Sequence, residues 1–420
     1  MRILFITPYV PSPIRVRPYQ LIRQLARRHE VVVLTLWQHE RERADLEKLR
    51  AFCPVVGVRL SRAQALTNCL RALPSRLPLQ GAYCQSEEFG RLIHGALGGP
   101  GAIGQPLPAA LAGPFDVVHV EHLRAGFVSS WIPSQVPTVF DSVDSISLLF
   151  ERTSRLSHSQ RQRLVARFEL SRTRAFEADL VQRFDQVAVT SPEDADTLRA
   201  LSATDRIAVV PNGVDLDYFQ PRAGAGEPAT LVLSGKMSYH ANVTAALHFA
   251  KQIFPKIKRQ RPDVRLQIVG SDPAPAVQAL TSDPSISVTG YVPDMRDYLG
   301  RASVVICPVT VKVGIQNKVL EAMAMGIPVV CSREGFTGLQ AQPGQDLLVA
   351  DTPDRFAADV CRLLGDADAR EPIGRAGRRY VETFHQWEAA TRRFEELYHA
   401  AIERHRPAAR LTSEVEVKPS

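Results

Sequence analysis

The chain has 420 residues, of which 45% are hydrophobic, and its formal net charge is +7. One hydrophobic core rarely holds this many residues, so we predict two domains. No apolar run is long enough to span a membrane, the amino terminus does not read as a signal peptide, and no nucleic-acid-binding motif accompanies the basic charge, so we predict a soluble cytoplasmic protein without a nucleic acid partner.

Short β-branched runs alternate with helical patterns, which predicts parallel sheets flanked by helices. The first series of predicted strands covers residues 2–7, 30–36, 116–120, 136–140, 186–190 and 207–211. The second covers residues 230–234, 264–270, 286–290, 303–308, 327–332 and 347–350. We predict an α/β protein with an N-terminal domain over 1–210, a hinge over 211–229 and a C-terminal domain over 230–383.

Three segments stand outside this alternation. Residues 62–113 are rich in Gly and Pro and read as a surface insertion in the first domain. The helical pattern over 384–405 is expected to pack near the first domain or across to it. The tail over 407–420 is expected to be disordered.

The loop after the first strand, "PYVPSPIRVRPYQ", carries two arginines and no G-x-G-x-x-G motif. Without that motif, a nicotinamide or flavin dehydrogenase is disfavoured. Arg15 and Arg17 are candidates for contacting an anionic acceptor or the phosphates of a donor.

Polar residues follow two neighbouring predicted strands of the first domain, where ligands of open α/β sheets bind. Glu121 and His122 follow "VVHV", and Asp141 and Asp144 lie in "FDSVDS". We predict catalytic roles for Asp141 and His122, and acceptor-side positions for Glu121 and Asp144. Asp141 would orient the acceptor hydroxyl or stabilise positive charge on a sugar ring. A helix cap is the alternative role for Asp141.

The segment from Glu151 to Arg183 is basic. It holds eight arginines against four acidic residues, while Phe176, Leu180 and Phe184 recur at helical spacing. One side should therefore pack and the other stay basic. The basic side is either a solvated face or a contact with an anionic membrane or a phosphorylated lipid acceptor.

The stretch "GIQNKVLEAMAMG" predicts a helix that starts near Gln316 or Asn317 and stops at Gly326. A helix start offers unpaired N–H groups to a phosphate, and Gly314 leaves room for close approach. Lys318 would add a positive charge, and the Glu321 carboxylate suits the vicinal hydroxyls of a ribose. This pattern indicates a sugar-nucleotide site; an ordinary surface helix is the alternative.

Several stretches together resemble the GT-B glycosyltransferases, in particular retaining enzymes of glycosyltransferase family 4. The matching motifs are "VLEAMAMGIPVV", "VVPNGVDLDYFQP", "VTGYVPDMRDYLGRASVVICP" and "FHQWEAATRRFEELY". The forms "GIQNKVLEAMAMG" and "FEADLVQRFDQVAVTS" most resemble sugar transferases of exopolysaccharide systems. The resemblance implies two facing Rossmann-like domains with an interdomain cleft, the donor on the second and the acceptor mostly on the first.

Carried over position by position, the resemblance assigns the ribose contact to Glu321. The preceding glutamate of the family's E-x7-E signature falls at Val313, and Lys236 and Ala241 stand where relatives carry an arginine and a lysine. Asp141 stands where relatives often have a histidine. The donor-binding set that we predict is Gly235, Lys236, Tyr291, Val292, Gly314, Ile315, Gln316, Asn317, Lys318 and Glu321. With Asp141 and His122, Glu321 is also predicted to be a catalytic residue.

The resemblance predicts a hexosyltransferase that retains anomeric configuration, with a nucleotide sugar donor and no further cofactor. The acceptor would be a glycan, a lipid or a small molecule. We assign the D-x-D of Asp215 and Asp217 to a turn and predict no metal. Two alternatives stay open: a nucleotide-sugar epimerase of the same fold, and a non-catalytic protein that binds sugar nucleotides.

Overall fold

The computed structural model describes residues 1–98, 107–156, 160–222, 227–311 and 314–406, which fold around two parallel sheets. The first sheet has the order β3-β2-β1-β4-β5-β6-β7. Its strands are β1 (Arg2–Thr7), β2 (Glu30–Trp37), β3 (Val55–Arg59), β4 (Val117–Glu121), β5 (Thr138–Val143), β6 (Gln186–Val189) and β7 (Ile207–Val209). The helices between them are α1 (Val16–Leu25), α2 (Arg41–Arg50), α3 (Arg62–Ala72), α4 (Leu79–Tyr83), α5 (Glu87–Ala96), α6 (Ile146–Leu156), α7 (Gln160–Arg183) and α8 (Pro192–Ser202).

The second sheet has the order β10-β9-β8-β11-β12-β13. Its strands are β8 (Thr230–Ser234), β9 (Arg265–Val269), β10 (Ile286–Val288), β11 (Val304–Cys307), β12 (Val329–Ser332) and β13 (Leu348–Ala350). The helices are α9 (His240–His248), α10 (Phe254–Gln260), α11 (Pro275–Gln278), α12 (Arg296–Leu299), α13 (Asn317–Ala324), α14 (Pro353–Gly365), α15 (Ala367–Phe384) and α16 (Trp387–Arg404).

Both sheets are buried on their two faces, which explains why their strands read as nearly continuous apolar runs. In β1, the four residues from Ile3 to Ile6 are fully buried. Strand order reverses beside β1 in the first sheet and beside β8 in the second. Ligands of open α/β sheets bind at such switch points, beyond the carboxyl ends of the strands. The loops after β1, β4, β8 and β11 are therefore where a site is expected.

The twelve strands that the sequence predicts are all present, but the sequence analysis missed β3. This edge strand includes Gly57 and follows Pro54, and both residue types weaken a strand pattern. The interpretation of residues 62–113 as a surface insertion was wrong. The described part of that region forms α3, α4 and α5, and Phe89 and Ile93 of α5 are buried in the first core. Apolar residues at helical spacing outweighed the Gly and Pro content.

The last helix, α16, packs on the first sheet although it follows the second in sequence. Its Tyr398 hydroxyl lies 2.8 Å from Nδ1 of the buried His119 of β4, and Phe394 packs on the same imidazole ring. The chain therefore crosses between the sheets twice, after β7 and before α16. The two crossings are bonded side by side, because the Val214 N–H donates to the His385 carbonyl at 2.8 Å. The expected tail over 407–420 lies outside the described residues.

The basic segment forms α6 and α7, and the packing stripe predicted there is confirmed. Leu180 and Phe184 are buried in the first core, and Phe176 packs against it. Within the described ranges, none of the helices has the length and apolar character that crossing a bilayer demands.

Candidate active site

A cavity of about 600 Å³ lies at the two switch points. All ten residues of the predicted donor-binding set line it. From the first domain, it is lined by Asp144 together with the loop residues Pro13 and Ile14. A second cavity of about 660 Å³ shares Asn317 and Glu321 with the first and extends toward the hinge. The site is thus a cleft with one wall from each domain.

Helix α13 begins at Asn317 and points its amino terminus into this cleft. Val319, Leu320 and Met323 are buried in the second core, so they fix the direction of the helix. No acidic residue lies in its first turn. The partial positive charge of the helix start is therefore not neutralised locally, which favours an anion there.

Glu321 lies one turn into α13 and faces the cleft. Within the part of the chain that the structure describes, no group hydrogen-bonds its carboxylate. Burial raises the pKa of Glu321 to about 7, and the nearby Lys318 opposes that rise. A partly desolvated carboxylate without a partner is costly, so the site is suited to a ligand that donates hydrogen bonds to it.

Lys318 is partly buried beside α9, where its Nζ donates to Asn242 Oδ1 at 2.6 Å. Burial lowers the pKa of Lys318. Asn242 in turn donates from Nδ2 to the Lys236 carbonyl at 3.0 Å. Asn242 therefore ties the start of α13 to the loop after β8. Ala241, at the position of the family's lysine, is buried.

The loop after β8 needs glycine at two points. A Cβ on Gly270 would lie 1.8 Å from the Gly235 carbonyl oxygen, and Gly270 has φ of +151°. Gly235 itself has φ of +143° and packs on Asn242. The next residue, Lys236, has a half-exposed side chain whose Nζ lies 4.0 Å from Asp272 Oδ2. Lys236 is therefore free to swing toward an anion in the cleft.

Asp144 is the acceptor-side residue that reaches the cavity. Its Oδ1 accepts a hydrogen bond from the Thr190 hydroxyl at 3.0 Å, and burial raises its pKa to about 6, with a further contribution from Asp194. A Cβ built on Gly314 would lie 2.8 Å from Asp144 Oδ1. The absence of a side chain at Gly314 thus lets the two walls approach each other, in addition to the room it leaves for a phosphate.

Asp141 and Arg17 lie outside the cavity lining and pair with each other. Arg17 Nε donates to Asp141 Oδ2 at 2.7 Å and Nη2 donates to Oδ1 at 3.0 Å, and both side chains are almost fully buried. Arg17 Nη1 also donates to Asn212 Oδ1 at 2.9 Å. Asn212 Nδ2 donates to Asn317 Oδ1 at 3.2 Å. This relay links the end of β5 to the start of α13, and Asp141 caps no helix.

Glu121, His122 and Arg15 also stand behind the cavity wall. The Tyr9 hydroxyl donates to Glu121 Oε1 at 3.3 Å, while Glu121 Oε2 is buried and no described residue hydrogen-bonds it. Burial raises the pKa of Glu121, and Asp141 adds to the rise. His122 accepts from the Arg124 N–H at 3.2 Å. Arg15 stacks on Tyr9 and pairs with Glu42 at 3.2 Å.

Backbone strain marks the same strand ends. His122 after β4 and Val143 at the end of β5 have φ of +67° and +68°. For a β-branched residue such as Val143 this conformation is an outlier, and such outliers cluster at functional sites. They turn the chain sharply at the first domain's wall.

The sequence analysis missed several polar or glycine residues of the cavity lining, among them Asn242, Gly270, Arg152 and Asp194. Only Gly270, in "IVGSD" directly after a predicted strand, carried a signal that could have been read, because glycine there indicates close backbone approach. Val313, the signature position without a carboxylate, lies outside the described residues.

A metal site does not emerge from the described ranges, where no group of three or more His, Cys, Asp or Glu residues is placed to hold an ion. Asp215 of the D-x-D accepts from Arg23 Nη1 at 2.9 Å and from the Tyr218 N–H at 3.0 Å. These bonds belong to the turn at the hinge.

Two parallel-sheet domains with a cleft between their switch points are also the arrangement of several solved glycosyltransferases. Sucrose-phosphate synthase of Thermosynechococcus elongatus aligns with a TM-score of 0.68 at 18% identity, covering 96% of this chain and 99% of that one. Anabaena Alr3699/HepE, solved with UDP and glucose, aligns with a TM-score of 0.63 at 14% identity, covering 94% and 98%. At such identities the likeness shows the fold, which is GT-B.

Sequence models identify the family. The model described as "Glycosyl transferase 4-like domain" matches residues 14–213, and "Glycosyl transferases group 1" matches residues 228–366. Because the two matches together span most of the chain, this protein belongs to the family 4 glycosyltransferases.

Curated relatives match a little over half of the chain. An MMP alpha-(1->4)-mannosyltransferase of Mycolicibacterium hassiacum is 26% identical over 52% of this chain and 54% of its own length. A GDP-mannose:cellobiosyl-diphosphopolyprenol alpha-mannosyltransferase of Xanthomonas oryzae is 24% identical over 52% and 59%. A D-inositol 3-phosphate glycosyltransferase of Acidothermus cellulolyticus is 28% identical over 57% and 59%. The chain thus spans between half and three fifths of the length of these relatives.

Proposed function

We propose that this protein transfers a hexose from a nucleotide diphosphate sugar to an acceptor hydroxyl, with retention of anomeric configuration. One observation carries the proposal: a single cleft gathers the start of α13, two lysines and a Glu321 carboxylate that no described group hydrogen-bonds. The helix start and the lysines suit the phosphates of a nucleotide, and the carboxylate one turn further on suits the adjoining ribose. The division into domains over 1–210 and 230–383 with a hinge over 211–229 is part of the proposal.

The donor would lie along the second domain's wall. The diphosphate would accept hydrogen bonds from the N–H groups at the start of α13, with Lys318 beside it and Lys236 swinging in from the β8 loop. The Glu321 carboxylate would accept from the ribose hydroxyls. Backbone near Tyr291 and Val292 would meet the base, and Gln316 and Asn317 the transferred sugar.

In the chemical step, the acceptor oxygen forms a bond to the anomeric carbon while the bond from that carbon to the phosphate oxygen breaks. The proton of the acceptor hydroxyl passes to the departing phosphate oxygen. The helix start and the two lysines stabilise the charge that develops on the diphosphate. No carboxylate nucleophile is needed for this step, and no metal or further cofactor is part of the proposal.

On the acceptor side, Asp144 is the residue that we propose contacts the incoming hydroxyl, because it alone of the predicted first-domain set lines the cavity. Asp141, Arg17 and Glu121 would act behind it as positioning residues, and His122 keeps its proposed place at the edge of the wall. Closure about the hinge would exclude water, which otherwise hydrolyses the donor.

The acceptor is proposed to be a glycan, a lipid or a small molecule, in keeping with a link to exopolysaccharide synthesis. Residues 151–183 are proposed to contact the inner face of the membrane, so that the protein is cytoplasmic and peripheral. The names of the relatives include a diphosphopolyprenol-linked and an inositol phosphate acceptor. They make lipid carriers and phosphorylated polyols the first acceptor classes to test.

The proposal is tested by donor binding and transfer. Nucleotide sugars with GDP, UDP and dTDP are screened by thermal shift, beginning with GDP-mannose and UDP-glucose, because a ligand that binds only the folded state raises the melting temperature. Transfer from the best donor should be lost in Glu321→Ala. Isomerisation of the donor without acceptor would indicate the epimerase instead. Binding without transfer or hydrolysis would indicate the non-catalytic alternative.

A further inference from the structure

Half of the exposed large hydrophobic side chains that the structure describes lie on two helices of the first domain. On α3 and the residue after it, these are Leu66, Leu70 and Leu73, which are 62%, 66% and 44% exposed. Their spacing places them on one face of the helix. On α7, Leu164, Val165 and Phe168 are 65%, 49% and 45% exposed. Single exposed apolar residues are ordinary, but six on two neighbouring helices are not.

The two helices form one surface, which Arg172 joins. Its guanidinium donates to the Ala72 carbonyl at 3.3 Å and to the Leu73 carbonyl at 2.6 Å. The same guanidinium lies over the Phe168 ring, 4.1 Å from the ring centroid. The end of α3 and the middle of α7 therefore touch through this side chain. We call the six apolar residues with this link the α3–α7 surface.

The charged residues around the α3–α7 surface are positive. Residues 62–76 and 160–168 together contain six arginines and neither Asp nor Glu. Glu169 and Glu177, further along α7, are buried and accept backbone N–H bonds from Leu79 and Ile146. Ion pairs within the described residues engage none of Arg161, Arg163 and Arg167. Apolar residues ringed by free arginines complement a bilayer surface that carries anionic lipid.

The α3–α7 surface stands beside the cleft. Helix α6 packs along α7, and its Leu149 and Arg152 line the cavity. A chain docked on a membrane through α3 and α7 would therefore hold the acceptor wall near the headgroups. This position suits an acceptor that is anchored in the bilayer.

We propose that the α3–α7 surface docks the protein on anionic lipid and presents the cleft to a lipid-anchored acceptor. The inference rests on the membrane contact proposed above for residues 151–183, and it adds α3, which that segment does not include. It also commits to the acceptor class, which the proposed transfer leaves open.

The experiment is sedimentation of the full chain with vesicles of phosphatidylcholine alone and of phosphatidylcholine mixed with phosphatidylglycerol. The apolar variant is Leu70→Ser/Leu164→Ser/Phe168→Ser. Its control is Phe384→Ser, which changes a 53% exposed side chain elsewhere. The charge variant is Arg161→Gln/Arg163→Gln/Arg167→Gln. Its control removes three exposed arginines that engage no acid: Arg41→Gln, Arg259→Gln and Arg265→Gln.

We expect the unaltered chain to sediment with the mixed vesicles and to dissociate at high salt. Each triple variant of the surface should lower vesicle binding about tenfold, and both controls should bind as the unaltered chain does. Every variant should keep its thermal shift with the donor, which separates a failure of docking from a failure of the proposed transfer.

Three results would overturn the inference. One is the absence of sedimentation with mixed vesicles, and another is equal binding by the apolar variant and the unaltered chain. The third is a dimer in solution that the apolar variant converts to monomer, because the surface would then join two copies of this chain. Transfer to a short-chain acceptor should be unchanged in the apolar variant, while transfer to a vesicle-embedded acceptor should fall.

Discussion

The two walls of the cleft use their polar residues in opposite ways. On the second domain's wall, Glu321 has no hydrogen-bond partner among the described residues and Lys236 extends into solvent. On the first domain's wall, Asp141 is satisfied by Arg17, and Glu121 is satisfied in part, since Oε1 accepts from Tyr9 while Oε2 has no partner among the described residues. Polar groups left open toward a cavity are suited to bind ligand, whereas polar groups that satisfy one another hold the wall in shape.

Asp144 is the exception on the first wall, since it lines the cavity and lies against Gly314 of the other domain. The comparison therefore predicts that substitutions behind the first wall cost stability and that substitutions on the second wall cost donor binding. A substitution at Asp144 should instead lower the rate of transfer to the acceptor. The following experiments test that division.

The largest effect is expected for Arg17→Met, which leaves the buried Asp141 carboxylate without its cation. Breaking a buried ion pair from one side costs about 3–5 kcal/mol of the free energy of unfolding. Denaturant titration measures this loss. Arg23→Met, which removes a partly exposed pair with Asp215, should cost at most about 1 kcal/mol. Equal costs for the two variants would contradict the structural role of Arg17.

Next in size is Glu321→Ala, which removes the acceptor of two ribose hydrogen bonds. A hydrogen bond to a charged group contributes about 1.5–3 kcal/mol, so kcat/KM should fall about 100-fold or more. The free energy of unfolding should not fall, because the carboxylate satisfies no protein group. If Glu321→Ala lowered the free energy of unfolding and left donor affinity unchanged, Glu321 would have a structural role and not a donor-binding role.

The pH dependence of donor binding follows from the same carboxylate. The pKa of Glu321 is raised by burial to about 7, so the charged form that accepts both hydroxyls appears as pH rises through that value. Donor affinity should increase with pH between about 6 and 8, and the slope should vanish in Glu321→Gln. Calorimetry with an intact nucleotide sugar measures it, since its diphosphate does not titrate in that range. In the absence of ligand, the raised pKa of Glu321 makes the free energy of unfolding fall as pH rises from the pKa of this group in the unfolded chain to about 7.

A smaller effect is expected where the walls meet. Gly314→Ala places a methyl group 2.8 Å from Asp144 Oδ1 and forces a left-handed backbone at φ of +41° on alanine. The backbone cost alone is about 1–2 kcal/mol. Thermal shift with and without donor, for Gly314→Ala, Asp144→Ala and the double variant, gives the coupling between the walls. Strict additivity of the two changes would mean that the walls do not touch in solution.

The smallest effect is expected for Lys236→Met. Its side chain is half exposed and lies 4.0 Å from Asp272, so its attraction to the diphosphate is screened by solvent. Donor affinity should fall about fivefold at low salt and less at high salt. Lys318→Met should cost more, because Lys318 is less exposed than Lys236 and is held in place by its bond to Asn242. The reverse ranking would place the diphosphate away from the start of α13.

The sequence was most informative where a local pattern carries its own geometry. Helix α13 begins at Asn317 as predicted, because its apolar spacing and Gly326 define both ends. The sequence was least informative on the first wall. A carboxylate at a strand end gives the same sequence pattern whether it faces a ligand or an arginine distant in the chain. Arg17 and Asp141 are 124 positions apart, so their pairing is not visible in the sequence.

Two positions show a further limit. Asn242 comes directly after Ala241, the position at which relatives carry a lysine. Nothing in "YHANV" indicates that the Asn242 amide bridges Lys318 to the loop after β8. Residues 62–113 show the opposite failure, since their Gly and Pro content suggested a loop where α5 contributes Phe89 to the core. Both depend on contacts between segments far apart in the chain.

The paired crossings between the domains restrict how the molecule can move. Gly213 lies so close to Trp387 that a Cβ there would be 2.6 Å from the Trp387 nitrogen, and His385 Nδ1 lies 2.7 Å from the Asn212 carbonyl oxygen. These contacts hold the two crossings together as one connection. We therefore expect both crossings to move together when the cleft opens or closes. The pivot would then share with the pocket in setting how the sugar meets the incoming oxygen.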